Sequence, residues 1–214
     1  PEFLDGDSMI IAGDMQEKLV LYPIGRDEPG KRLTNWALCV RTGDGSRPPP
    51  NREDWNRVGT LDDALPAVRR FQIPYLDAEA LVRATPEFYE YPMCDRDPLS
   101  WWTQGRLTLL GDAAHPMYPV GSNGASQAIL DARLLASLLD TMPAPDALAA
   151  YEAERLPKTA EIVRLNRSGG PERVVDVVSE RAPNGFARLE DVISRDELAA
   201  IARGYASTAG FAKV

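Results

Sequence analysis

The sequence predicts a mixed α/β protein: an antiparallel sheet first, then one strand–loop–helix unit, then helices. Three observations predict it. β-rich runs crowd the first 40 residues. A leucine-rich run, residues 107–110, ends in Gly111-Asp112 and passes through a Pro/Gly-rich loop into a helical pattern. Beyond residue 140 the apolar spacing is helical nearly throughout, with no internal repeat.

Residues 8–12 (SMIIA) and 18–24 (KLVLYPI) read as strands joined by GDMQE, a hairpin connection. In the second strand Leu19 and Leu21 share one face and Val20 and Tyr22 the other, so bulk is expected against both sides. A third run, 32–40 (RLTNWALCV), places Trp36, Leu38 and Val40 on one face by period two. TGDGSRPPPN, 42–51, is loop by composition. REDWNRV and LDDALPAVRRF predict helices, the second ended or kinked at Pro66. DAEALVRA, 77–84, predicts a short helix capped by Asp77. FYEYPM, 88–93, predicts a strand, and GRLTLLGD, 105–112, a short buried strand. Helices are expected near 125–140, 146–167, 171–181 and 195–206, with a kink at Pro157. REDWN and SRDEL read as capped surface helices.

Composition narrows the function classes. At 214 residues with 44% hydrophobic and 26% charged side chains, the chain is an ordinary globular protein of one or two domains. A net charge of −8 offers no basic excess for nucleic acid. No apolar run approaches the roughly 20 residues of a membrane helix, and the N-terminus has no basic, apolar leader. Cys39 and Cys94, isolated from each other, fit a reducing compartment and core packing. A cytoplasmic location is expected. One histidine and scattered cysteines supply no metal-ligand set.

The junction LTLLGDAAHPMYPVGSNGASQAILDA, residues 107–132, carries the chemistry. Leu107, Leu109 and Leu110 are expected to bury the strand, leaving Asp112 at its carboxyl end, where open α/β sheets bind ligands. Ser122 or Asn123 can cap the following helix. Along that helix Ala125, Ile129, Ala132, Ala136 and Leu139 recur with helical spacing, which predicts a buried stripe. A helix start preceded by glycine presents free N–H groups and partial positive charge, suited to an anion or a group that becomes one. Asp112 is an acceptor suited to polyol hydroxyls. The plainer alternative is a satisfied Asp and a buried cap in an ordinary βα connection, and spacing alone leaves both readings open.

The stretch GRLTLLGDAAHPMYPVGSNGASQAILDA resembles the second flavin-binding motif of the para-hydroxybenzoate hydroxylase-like (class A) FAD monooxygenases. GSNGASQAILDAR is most similar to the branch that modifies phenazines, and SMIIAGDMQEKLVLYPIG, EYPMCDRDPL and YEAERLPKTAEIVRLNRSGGPERV extend the likeness over most of the chain. The resemblance implies that Asp112 holds the ribityl chain of FAD and that Pro119 lies beside the flavin ring. It also implies that Gly121, Ser122, Asn123, Gly124, Ala125 and Ser126 bring amides to the pyrimidine edge, where reduced flavin carries negative charge. The implied reaction uses NAD(P)H and O2, forms a flavin C4a-hydroperoxide and hydroxylates an aromatic ring.

The family's GxGxxG motif, which grips the ADP part of FAD, is absent from this sequence, as is its middle Asp-Gly motif. The reading is therefore a C-terminal portion: 1–100 from the substrate domain, 101–170 from the second half of the FAD-binding domain, 171–214 a C-terminal helical segment. Its expected partners are an aromatic small molecule and the missing GxGxxG portion, on the same or a second chain, without which proper folding is not expected. The alternatives are a non-catalytic remnant that binds flavin or an aromatic ligand, and a flavin-dependent halogenase or oxidase.

Tyr22, Trp36 and Tyr118 are the pocket-lining candidates for a planar substrate, with Trp101 and Trp102 considered beside them; core packing is the competing role for each. His115 makes no triad and reads as structural. Glu152 and Arg155, three apart on a helix, read as a surface ion pair. No side chain is assigned as a catalytic base.

Overall fold

The computed structural model describes residues 8–25, 33–43, 46 and 54–210. They fall into two compact units, the first ending at Pro92 and the second beginning at Met93.

The first unit is built on a three-stranded antiparallel meander, β1 (Ile10–Gly13), β2 (Glu17–Gly25) and β3 (Leu33–Val40), in the order β1-β2-β3. The predicted hairpin sits where GDMQE placed it, with Gly13 opposite Lys18. Asp14 closes it: its Oδ1 accepts from Gln16 N at 2.8 Å and Glu17 N at 3.2 Å. Gly13 has φ +100°, and a β-carbon there would lie 2.0 Å from Glu17 O, so only glycine fits this turn.

Leu19 and Leu21 are wholly buried on the sheet face that meets α1 (Leu61–Val68) and α2 (Ala78–Arg83), joining Ala64, Val68, Ala78 and Val82. Each such leucine contributes about 1.5–3 kcal/mol by leaving water. The opposite face is less covered than expected, since Val20 and Tyr22 are only half-buried. Trp36 and Leu38 pack on the core, but Val40, at the strand end, is exposed. Trp36 meets Phe88 at 5.2 Å between ring centroids and donates its Nε1–H to Thr85 Oγ1 at 2.9 Å. Asp77 caps α2, accepting from Ala80 N at 2.8 Å. Pro66 lies inside α1, which ends two residues later.

Two local expectations fail in this unit. Within REDWNRV, the described residues Asp54–Asn56 form a turn fixed by Asp54 Oδ1 on Asn56 N at 2.9 Å, because the aspartate captures a nearby backbone donor instead of starting a helix. FYEYPM is not a strand: it makes one isolated bridge, Val58 to Tyr89, and Pro92 has no N–H for a longer ladder. Most of the loop at 42–51 lies outside the described residues.

The second unit is helical: α3 (Gly124–Leu139), α4 (Ala144–Arg167), α5 (Arg173–Arg181) and α6 (Arg195–Ala209). Helix α4 continues through Pro157 as one element. Helix α6 is capped by Ser194, which accepts from Glu197 N at 3.2 Å. Trp102, Ala114 and Tyr151 centre its apolar core, with Leu109, Leu134, Leu135, Leu138 and Leu156 packed around them.

The leucine-rich run is extended here but is not a strand, and it is not buried as predicted. Leu107 is 76% exposed, and the only bridge is Gln104 to Leu107. A strand is defined by its ladder, and here the pairing goes no further than that bridge and one more bond, from Leu109 N to Trp102 O at 3.2 Å.

The stripe predicted on α3 is inverted. Ala125, Ile129, Ala132, Ala136 and Leu139 are all exposed, Ile129 at 68%, while Asn123, Gln127 and Asp131 are buried. The buried polar residues sit four apart along one face. They can lie inside because each finds a hydrogen-bond partner there, which removes the penalty of desolvation.

Candidate functional site

Leu110 (φ −148°, ψ 147°) delivers the chain into a 3-10 turn, Gly111–Ala113, where Gly111 takes φ +58°. Gly111 O accepts from Ala114 N and His115 N, both at 2.9 Å, so the turn is closed from within. The Asp112 side chain is left facing solvent. It makes no hydrogen bond or ion pair among the described residues.

The loop then brings the chain back. A β-carbon placed on Gly124, first residue of α3, would lie 4.0 Å from Asp112 Oδ1. Thus an unpartnered carboxylate stands beside a helix N-terminus, with Ser122 and Ala125 exposed on that side.

Beneath the turn lies a buried charge cluster. Asp131 Oδ2 is 2.6 Å from His115 Nε2 and accepts from Gly111 N at 3.2 Å. Its other oxygen, Oδ1, accepts from Arg155 Nε at 2.6 Å, and Arg155 Nη2 donates to Gln127 Oε1 at 2.6 Å. Burial pushes the Asp131 carboxyl up, but hydrogen bonds from His115 and Arg155 outweigh it and hold the carboxyl below its ordinary value. The ionised carboxylate accepts, so His115 donates through Nε2, which leaves Nδ1 on the far side of the ring. That atom and Trp102 Nε1 are buried with no partner among the described residues. Tyr151 donates to Leu109 O at 3.2 Å. Burial and the nearby Asp131 charge raise its phenol, which keeps the proton.

The loop at 118–123 is fastened on its buried side by α4 and the C-terminal elements. Glu172 Oε1 accepts from Gly121 N at 2.9 Å. Asn166 Nδ2 donates to Tyr118 O at 3.1 Å. The Tyr205 hydroxyl donates to Asn166 Oδ1 at 2.9 Å and accepts from Asn123 Nδ2 at 3.3 Å. Gln127 Nε2 bonds Asn123 Oδ1 at 3.2 Å and Ala209 O at 3.0 Å. Gly121 and Ser122 both adopt left-handed backbone, φ +71° and +50°.

Asp112, Pro119, Gly121, Ser122, Asn123, Gly124, Ala125 and Ser126 therefore fall within one loop and helix start, but with unequal roles. Pro119 is exposed, and its carbonyl accepts from Ser122 N at 3.2 Å. Gly121 has its amide committed to Glu172. Asn123 does not cap α3, since its side chain turns inward. Tyr118 is half-buried beside Pro119, whereas Tyr22 and Trp36 belong to the other unit. Trp102 is core and Trp101 is 56% exposed. Cys39 and Cys94 form no disulfide and are half-buried rather than core. Arg155 is not in a surface pair with Glu152: it is buried on Asp131, and Glu152 Oε2 instead accepts from Trp102 N at 2.8 Å and from Thr103 N. The turn of α4 between these two residues points them at different partners.

Asp131, Gln127, Glu172 and Tyr205 carry the loop and were not singled out from the sequence, and Arg155 was read only as half of a surface pair. One signal was present: Asn123, Gln127 and Asp131 stand at i, i+4 and i+8, a polar stripe on the face opposite the apolar one. Among the described residues no helix is long and apolar enough to cross a membrane.

A family model described as an FAD binding domain matches residues 80–166. The phenazine 1,6-dicarboxylic acid hydroxylase PhzS of Lysobacter antibioticus is 42% identical over 210 residues, covering 96% of this chain and 49% of that protein. The 3-amino-4-hydroxybenzoate 2-monooxygenase PtnB3 of Streptomyces platensis is 46% identical over 154 residues, 71% of this chain and 36% of its own length. Among solved structures, a salicylate hydroxylase substrate complex superposes with a TM-score of 0.60 at 22% identity, covering 93% of this chain and 45% of that one. The chain spans about half the length of PhzS and less of PtnB3.

Proposed function

Because the chain belongs to the para-hydroxybenzoate hydroxylase-like FAD monooxygenases, we propose that it contributes the flavin-facing loop of an enzyme that hydroxylates an aromatic or heteroaromatic ring using NAD(P)H and O2. The observation that carries the reading is Asp112: an exposed, unpartnered carboxylate beside the first turn of α3.

The residues fit the cofactor's chemistry. An ionised carboxylate accepts hydroxyl hydrogens of a polyol such as the ribityl chain, and such charge-assisted bonds are strong. The exposed start of α3 carries partial positive charge, which stabilises negative charge on a bound ring edge. Ser122, Gly124, Ala125 and Ser126 are small enough for a flat ring to approach the backbone. Asp112 would hold the ribityl chain, Pro119 and the residues from Gly121 to Ser126 the ring. Tyr118 is the proposed substrate contact on this loop, and Tyr22 and Trp36 are the aromatic contacts proposed within the first unit. When bound, FAD supplies the redox and oxygen chemistry; this chain's residues bind, orient and exclude water.

The ADP part of FAD falls to a GxGxxG portion, on the same polypeptide or a second chain, in a cytoplasmic enzyme. The test is made on the full-length gene product. A flavin absorption band, with NAD(P)H consumption and oxygen uptake stimulated by an aromatic compound, is expected. A colourless protein that consumes no NAD(P)H overturns the reading in favour of a non-catalytic remnant. Turnover without ring hydroxylation reassigns it to an oxidase or halogenase.

A further inference from the structure

We infer that Tyr205 and Glu172 are positioning residues for the cofactor loop, holding Val120–Asn123 from the side of the C-terminal helices so that the first turn of α3 keeps its aim. The inference rests on the flavin reading of that loop and goes beyond it, because neither residue belongs to the motif that carries the reading.

The loop has a buried side and an exposed side. Val120, Asn123 and Gln127 are each 1% exposed, whereas Ser122 and Ala125 face outward. On the buried side one phenol ties three chain segments together. From α6, Tyr205 Oη bonds Asn166 at the end of α4 and Asn123 at the start of α3, and it lies 3.5 Å from Val120 O. Glu172, at the close of the 3-10 turn Gly170–Glu172, takes the amide of Gly121.

This fastening acts on strained backbone. Ser122 is the one non-glycine residue with positive φ among the described residues, and it follows a left-handed glycine. A side chain in that region is disfavoured and persists only where its surroundings over-determine it. The surroundings here are tight: a β-carbon on Gly121 would lie 2.9 Å from Pro171 Cγ and 3.0 Å from Tyr205 Oη. Releasing the clamp lets Ser122 relax toward ordinary φ. The amides that follow it then turn away from where a ligand beside Asp112 would meet them. Asp112 itself is held separately, through Gly111 and Asp131.

The experiment uses the full-length gene product and measures FAD dissociation by flavin fluorescence, with hydrogen exchange of amides 120–126 and thermal unfolding of the apo-protein alongside. Tyr205→Phe and Glu172→Ala each are expected to raise the FAD dissociation constant about tenfold, the size of one lost buried hydrogen bond, and to speed exchange at 120–126. Ser122→Gly, which adopts the left-handed conformation freely, is expected to recover most of that loss when combined with Tyr205→Phe. Simple loss of packing in α6 predicts a lower unfolding temperature with no recovery by Ser122→Gly, and that outcome overturns the inference. So does wild-type FAD affinity in both single variants. If the wild-type protein itself binds no FAD, the flavin reading fails and takes this inference with it; wild-type binding with unaffected variants sinks the inference alone.

Discussion

Arg155 Nε donates to Asp131 Oδ1 at 2.6 Å, and both side chains are buried between α3 and α4. The pair neutralises itself, and the remaining carboxylate oxygen is spent on His115 and Gly111. Removing one partner strands the other charge in a low-dielectric interior. Asp131→Asn or Arg155→Met is therefore expected to destabilise the second unit by about 3–5 kcal/mol. Replacing both with apolar residues should cost less than the sum of the two single changes. Denaturant titration of the three variants checks this, and strict additivity would count against a coupled pair.

The same cluster sets a pH dependence. The Asp131 carboxyl is held below its ordinary value of 3.8 when folded. Its contribution is thus fully present above that value and is lost as pH falls below it, toward the folded pKa. The gap in unfolding temperature between wild type and Asp131→Asn should be constant near neutrality and narrow on acidification below about pH 4. A gap that widens with acid contradicts this.

Asp112→Ala should weaken FAD retention tenfold or more, roughly the worth of one charged hydrogen bond. Because the side chain is exposed and unpartnered, the unfolding temperature of the apo-protein should stay unchanged. Unaltered FAD affinity removes Asp112 from the site.

Gly121→Ala introduces a β-carbon at φ +71° into space held by Pro171 and Tyr205. The expected loss is about 1–3 kcal/mol of stability, with weaker flavin binding, and circular dichroism melts check it. A neutral result means the loop can move.

In the first unit, Asp77→Ala should cost about 1 kcal/mol, because it leaves the Ala80 amide without its cap. Denaturant unfolding of the unit reads it.

Local chemistry was legible in the sequence: the Asp14 turn and the Asp77 and Ser194 caps each rest on neighbours a few residues away, and the three strands follow β-rich runs that pair in chain order. What escaped is non-local. Residues 107–110 have the composition of a buried strand, but a strand exists only beside a partner, and Leu107 stands out in solvent. The α3 helix was placed well and phased wrongly, because apolar spacing was read as the inward face. Its inward face is Asn123, Gln127 and Asp131, whose partners lie on α4, on α6 and at His115 in the preceding loop, some 16 to 82 residues away. The loop from Asp112 to Ser126 was legible through its motif, while Tyr205 lies beyond every stretch that carried the resemblance, and Glu172, inside one, gave no sign of its hold on Gly121.

Gly111 and Asp112 are neighbours that look opposite ways: one gives its amide to an interior carboxylate, the other offers its own carboxylate to the outside. A single peptide link therefore ties the surface carboxylate to the buried Asp131, Arg155 and His115 cluster, so a substitution that displaces Asp131 also loosens the turn from which Asp112 projects.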